Sequence, residues 1–89
     1  MITIGKNTYK IIKEEKNGFD MDAFKERFTD YFEPYDYIVG DWAYGKLRLK
    51  GFNDKRNPHY NKLNDASSIE SYIEDYCAYG CKYFILKKE

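Results

Sequence analysis

Tyr35–Phe52, YDYIVGDWAYGKLRLKGF, is the stretch whose reading decides the fold. Tyr37, Ile38 and Val39 make a dense run that is apolar on both faces, which suits an inner strand. Trp42 to Gly45 reads as an aromatic turn. Lys46 to Phe52 then alternates strictly. Leu47 and Leu49 point one way, and Lys46, Arg48 and Lys50 point the other. Two strands joined by a tight turn, one fully apolar and one two-faced, imply a sheet with a buried side and a basic side.

Working outward, Ile2–Ile4 and Thr8–Lys13 are short β-rich runs separated by Gly5-Lys6-Asn7, a second hairpin with a three-residue loop. Asn17-Gly18 is a turn signal and Asp20 a good N-cap. Met21, Phe24, Phe28 and Phe32 follow at helical spacing, giving one apolar stripe that ends near Pro34. Downstream, Asn53–Ala66 is a polar loop containing Pro58, long enough to be functional or mobile. Ser67 and Glu70 read as a capping box opening a second helix, with Ile69, Tyr72, Ile73, Tyr76 and Cys77 on one face and Gly80 as its stop. Cys81–Leu86 forms the last strand. The expected architecture is α+β in the order ββαββαβ: a mainly antiparallel, twisted sheet with two helices packed against it.

A chain of 89 residues is one domain, 1–89, without internal repeat or linker. Such a chain buries only about 60–65% of the surface exposed by its unfolded form, so it needs dense apolar side chains. Aromatics supply them, at 19% of the residues. Acidic and basic residues balance at 15 each, but they segregate. Glu14–Asp41 is strongly acidic, Lys46–Lys62 basic, and Leu63–Tyr76 acidic again, so a neutral total is compatible with a basic patch. No run approaches the ~20 apolar residues of a membrane span, and the N-terminus lacks a signal-peptide core. The expected compartment is the cytoplasm, with reduced thiols.

The chemistry-bearing residues are few. His59 is the one histidine, placed beside Pro58 on the polar loop, where it reads as a surface residue. Asp36 and Asp41 read as turn-formers at strand ends rather than paired catalytic carboxylates. Cys77 and Cys81, with His59, give three soft ligands where structural zinc uses four, so no metal is expected. They read as small hydrophobes at a helix end. A disulfide is not expected, because Gly80 reverses the chain between them. The glycines at 40, 45 and 51 are too dispersed for a phosphate loop. No catalytic residue and no cofactor are assigned.

The basic hairpin is the candidate site. Lys46, Arg48 and Lys50 project from one strand face roughly 6–7 Å apart, comparable to phosphate spacing along a single strand. Trp42, Tyr44 and Phe52 flank them as stacking candidates, and Lys55 and Arg56 extend the patch. The strand KLRLKGF lacks the aromatic positions within the strand that an RRM signature needs. The expected activity is contact with a protein or single-stranded RNA partner through residues 42–52 and loop 53–66. The alternative is a small enzyme or enzyme subunit with a pocket near Asp41 and Cys81.

YDYIVGDWAYGKLRLKGF, then SYIEDYCAYGCKYFILKK, with NGFDMDAFKERF in the first helix, resembles the YutD-like family across nearly the whole chain. The resemblance implies a small cytoplasmic protein of Gram-positive bacteria of unassigned function. It carries over no catalytic residue. The positions matching its most distinctive strings are Asp41, Trp42, Tyr44, Gly45, Arg48, Gly51, Cys77, Gly80 and Cys81.

Overall fold

The computed structural model describes residues 1–76 and 81–89. Its elements are β1 (Ile2–Ile4), β2 (Asn7–Glu15), α1 (Met21–Arg27), β3 (Tyr37–Ala43), β4 (Lys46–Phe52), α2 (Ile69–Tyr76) and β5 (Tyr83–Lys88), with short 3-10 turns at Asp30–Phe32, Lys62–Asn64 and Ala66–Ser68. This is the expected ββαββαβ order. The strands form a single sheet in the order β1-β2-β5-β3-β4, and every neighbouring pair is antiparallel. The last strand in the chain therefore lies at the centre, between the two hairpins.

Side-chain parity divides the core between the two faces of this sheet. Ile38, Phe84, Leu86 and Leu47 pack with Tyr9 and with Phe24 of α1. Val39, Ile85 and Phe52 pack on the other face with Ile69, Tyr72 and Ile73 of α2. Successive residues of β3 and β5 thus serve different layers, as expected of strands apolar on both faces. The helices cover opposite sides of the sheet.

The aromatic stripe reaches one core by a broken path. Asp20 caps α1, its side chain accepting from the Ala23 N–H at 3.1 Å. The helix ends at Arg27, however, because Phe28 and Thr29 adopt extended backbone, a conformation that β-branched Thr favours. The chain then makes a separate 3-10 turn at Asp30–Phe32. Phe24, Phe28 and Phe32 nevertheless all join the α1 core. The rings meet edge-on or tilted, with Phe24 at 6.3 Å from Phe84 and Phe19 at 5.1 Å from Phe84.

Three local expectations are corrected. The first hairpin has a two-residue turn, since Asn7 already pairs with Ile4 and Gly5 supplies the positive φ. The second turn is only Tyr44-Gly45, both at positive φ, which matches the twist of the flanking strands; Trp42 and Ala43 belong to β3. Ser67 is not a helix cap. Asp65 instead caps the 3-10 turn Ala66–Ser68 that leads into α2, accepting from the Ser67 N–H at 2.9 Å. The proposed Gly80 stop and Cys77 lie outside the described residues.

Loop 53–66 is built rather than loose. Asn53 is fully buried. Its carbonyl oxygen Oδ1 accepts from the Asp36 N–H at 2.9 Å and from Asn57 Nδ2 at 3.0 Å. Asn57 Nδ2 also donates to Pro34 O and Asp36 Oδ1. At the far end Asn61 and Asn64 cap each other's turn. Short amide side chains substitute here for regular secondary structure in satisfying the backbone.

Two measurements check this account. Phe24 is fully buried among Tyr9, Phe19, Phe28 and Phe84, so Phe24→Ala should cost about 3–5 kcal/mol by denaturant melting; a loss below about 1 kcal/mol would show that α1 is not anchored there. Asp65 is held below the ordinary carboxylate range by the Ser67 N–H first, then by the Tyr60 and Ser67 hydroxyls. A carboxyl depressed on folding stabilises above its unfolded value and loses that contribution as pH falls through the folded one. The stability gap between the wild type and Asp65→Asn should therefore hold at neutral pH and close as pH falls below about 4. A gap that stays constant through that range in stepped-pH denaturation would refute the assignment.

Candidate functional site

The two-residue turn sets the register of the β3–β4 hairpin: Ala43 faces Lys46, and two residues further Asp41 faces Arg48. That register decides the fate of the basic row. Asp41 is 2% exposed. Arg48 grips its carboxylate with Nε at 3.0 Å and Nη2 at 2.7 Å. The carboxylate raises the guanidinium above its ordinary pKa. A buried carboxylate needs such a partner, and a two-point guanidinium contact fixes both position and angle. Arg48 thus has a structural duty, and Asp41 is a strand residue rather than a turn-former.

Lys46 and Lys50 flank Arg48 on the same side of β4, the side covered by α2. Lys46 is exposed and Lys50 half-buried. The Lys50 ammonium sits 5.4 Å from the Phe52 ring centroid and 5.8 Å from that of Tyr72, and the two rings meet edge-on at 5.5 Å. These contacts favour the cation at that spot.

The flanking aromatics do not share one surface. Trp42 has the opposite parity and packs against the α1 core. Its Nε1–H donates to the Gly18 carbonyl at 2.6 Å, and Lys82 lies 4.9 Å over its ring. This corrects the expectation that the indole flanks the basic row. Phe52 is 1% exposed, so its ring face is not open to a base. Tyr44 stands fully exposed at the hairpin tip. Lys55 and Arg56 are exposed on the turn after β4. Arg56 lines a separate depression with Asp36, Asn57 and Lys87, which shares no residue with the concavities along β4.

Those concavities lie side by side along one strand. Three depressions, of about 520, 640 and 610 Å³, adjoin one another along β4, and Arg48 lines all of them. One wall is formed by Tyr31, Phe32 and Tyr35, and the other by Leu63 and Tyr72. Tyr35 lies flat on Gly51, where a Cβ would fall 2.3 Å from the ring. Only glycine allows that approach. Tyr31, Tyr35, Leu63 and Tyr72 were not singled out as site residues from sequence. Reading Tyr44-Gly45 alone as the turn would have exposed the Asp41–Arg48 pair; nothing local announces that the 31–35 and 61–64 segments converge on β4.

His59 is a surface residue whose backbone N–H donates to Asn57. Among the described residues, no group of three or more His, Cys, Asp and Glu side chains gathers as a metal site. Cys81 carries no free thiol, which departs from the expected reduced state. No helix among the described residues is long and apolar enough to cross a membrane.

The ion pair makes a direct prediction. Arg48→Ala strands a buried carboxylate and should cost roughly 2–3 kcal/mol, less than a fully buried pair because the guanidinium keeps some water. Asp41→Leu combined with Arg48→Met should recover most of it. Equal stability of Arg48→Ala and the wild type in denaturant melts would refute the structural role.

The family model described as "YutD-like: Putative antitoxin YutD-like" matches residues 3–87. A relative from Bacillus subtilis (strain 168), "Putative antitoxin YutD", is 46% identical over 88 residues, covering 99% of this chain and 97% of the relative. The solution NMR structure of protein yutD from B. subtilis superposes with a TM-score of 0.82 at 45% identity, covering 100% of this chain and 81% of that one. This chain belongs to the YutD-like family.

Proposed function

We propose that this chain is a protein-binding module, working in the cytoplasm, whose contact surface is the groove along β4 with the hairpin tip and the adjoining part of loop 53–66. One observation carries the reading. Tyr31, Tyr44 and Leu63 are 66%, 103% and 85% exposed, and all three line the β4 concavities. Large apolar side chains left in water together, beside Lys46 and Lys50, have the composition of an interface: aromatic and aliphatic anchors within a charged rim.

The relative's name, "Putative antitoxin YutD", supports the same reading, since an antitoxin acts by neutralising a toxin. A partner toxin is then the natural occupant. The RNA alternative is weakened at two of its three stacking candidates, because Trp42 packs against the α1 core on the other face of the sheet and Phe52 is buried. Recognition of single strands leans on open aromatic faces.

The test is capture from a lysate of the native cell on immobilised protein, with and without nuclease. A protein retained after nuclease, and lost when Tyr31→Ser, Tyr44→Asn and Leu63→Ser are combined, is expected. The three side chains are exposed, and Asn suits the positive φ at 44, so the variant should fold. Retention of RNA that nuclease strips away, with no protein left behind, would replace this reading with the nucleic-acid one.

A further inference from the structure

We infer that the outer edge of β4 receives a short extended acidic segment of the partner protein, bonded to the backbone of Leu49. This deepens the reading above and rests on it. Hydrogen-bond parity decides which backbone groups of β4 are open. A two-residue turn closes on a pair that exchanges both backbone bonds, here Ala43 and Lys46. Such pairs alternate along an antiparallel ladder, so Asp41 with Arg48 and Val39 with Lys50 bond in the same way. The Trp42 N–H donates toward β5, to Lys82 O at 3.2 Å, which confirms that odd-numbered residues of β3 turn to β4. It follows that Leu47, Leu49 and Gly51 aim their N–H and C=O away from β3, and β4 is the last strand of the sheet.

The next residue of that parity is already occupied. The Asn53 N–H donates to Asn64 O at 2.7 Å, and Asn53 O accepts from the Ala66 N–H at 2.9 Å, a one-residue bridge with Asp65. The chain closes its own edge there, and among the described residues the closure goes no further. Leu47 and Gly51 are buried as whole residues, whereas Leu49 is half-exposed. The opening therefore centres on Leu49. An unpaired strand edge is a ready template for another backbone.

Side-chain chemistry names the occupant. A residue opposite Leu49 would fall on the α1 side, in the depression beside Phe32 and Leu49, and should be apolar. Its two neighbours would fall on the other side: the one opposite Lys50 should be acidic, and the one opposite Arg48, whose charge is already answered by Asp41, lies next to Lys46 and should be acidic too. Lys46 continues that cationic row, while Asp75 lines only the far wall. A second copy of this chain fits poorly: antiparallel pairing about Leu49 would set Arg48 against Lys50 twice. Like charges directly opposite are destabilising. The segment should therefore read acidic–apolar–acidic.

Amide hydrogen exchange by NMR on the full chain tests this. In the free protein the Leu49 amide should exchange about 100-fold faster than those of Arg48 and Lys50, which bond to β3. A capped Ser-Glu-Val-Glu-Ser peptide should slow Leu49 exchange, and a Ser-Lys-Val-Lys-Ser peptide should not. Lys50→Glu should weaken the acidic peptide about tenfold, equivalent to about 1.4 kcal/mol. Leu49→Pro, which removes an outward N–H tolerated as proline on an edge strand, should abolish binding. Protection of the Leu49 amide in the free chain, equal action of the two peptides, or binding unaffected by Lys50→Glu would each overturn the inference. If capture of a protein partner survives Lys50→Glu unchanged, the binding module stands and only the strand mode falls.

Discussion

The two hydrogen-bonded ladders of β5 hold this molecule together. Ile2–Glu15 and Tyr37–Phe52 each fold locally as a hairpin, and an isolated hairpin is marginal in water. β5 pairs with β2 on one side and β3 on the other, turning two hairpins into one sheet. It also carries the residues that both layers need. Phe84 and Leu86 belong to the α1 core, and Ile85 to the α2 core. The last residues of the chain are thus the first requirement of its tertiary structure. Pairing them with β2 closes a loop of most of the chain's length, the kind of non-local contact that slows folding.

From that centre, the architecture of the groove follows. With β5 in the middle, β4 is pushed to an edge, and among the described residues its outer backbone has no neighbouring strand. The fold closes one end of this edge with Asn64–Ala66 and lays Tyr35 over Gly51. The remainder stays open between the 31–35 segment and α2. Edge strands are commonly protected by charge. Lys46 and Lys50 serve that purpose here, and they also give the groove its sign. The protective device and the recognition surface are the same residues.

The buried Asp41 explains why the basic row cannot be treated as three equivalent surface cations. Arg48 answers a carboxylate that is 2% exposed, whereas Lys46 is open and Lys50 leans on two rings. Replacing all three at once would mix the loss of an internal pair with the loss of surface charge. Only Lys46 and Lys50 report on the surface.

The order of elements, the strict alternation of β4, the two-sided apolar character of β3 and the shared core of Phe24, Phe28 and Phe32 were all legible from the sequence, because each depends on periodicity over a few residues; that the helix breaks after Arg27 was not. Local chemistry announced a turn within Trp42–Gly45, but its true length, Tyr44-Gly45 alone, had to be known before Asp41 and Arg48 could be seen as opposites. The position of Trp42 was not legible. One residue of register decides which face a strand side chain joins, and assigning Trp42 to the turn hid its parity. Nor could the sequence place α2 over the polar side of β4, or bring Tyr31, Leu63 and Tyr72 around it. These meetings join segments some 10–40 residues apart and depend on β5 entering the sheet between β2 and β3. Periodicity along the chain specifies which residues share a face; only the completed sheet decides what lies across from it.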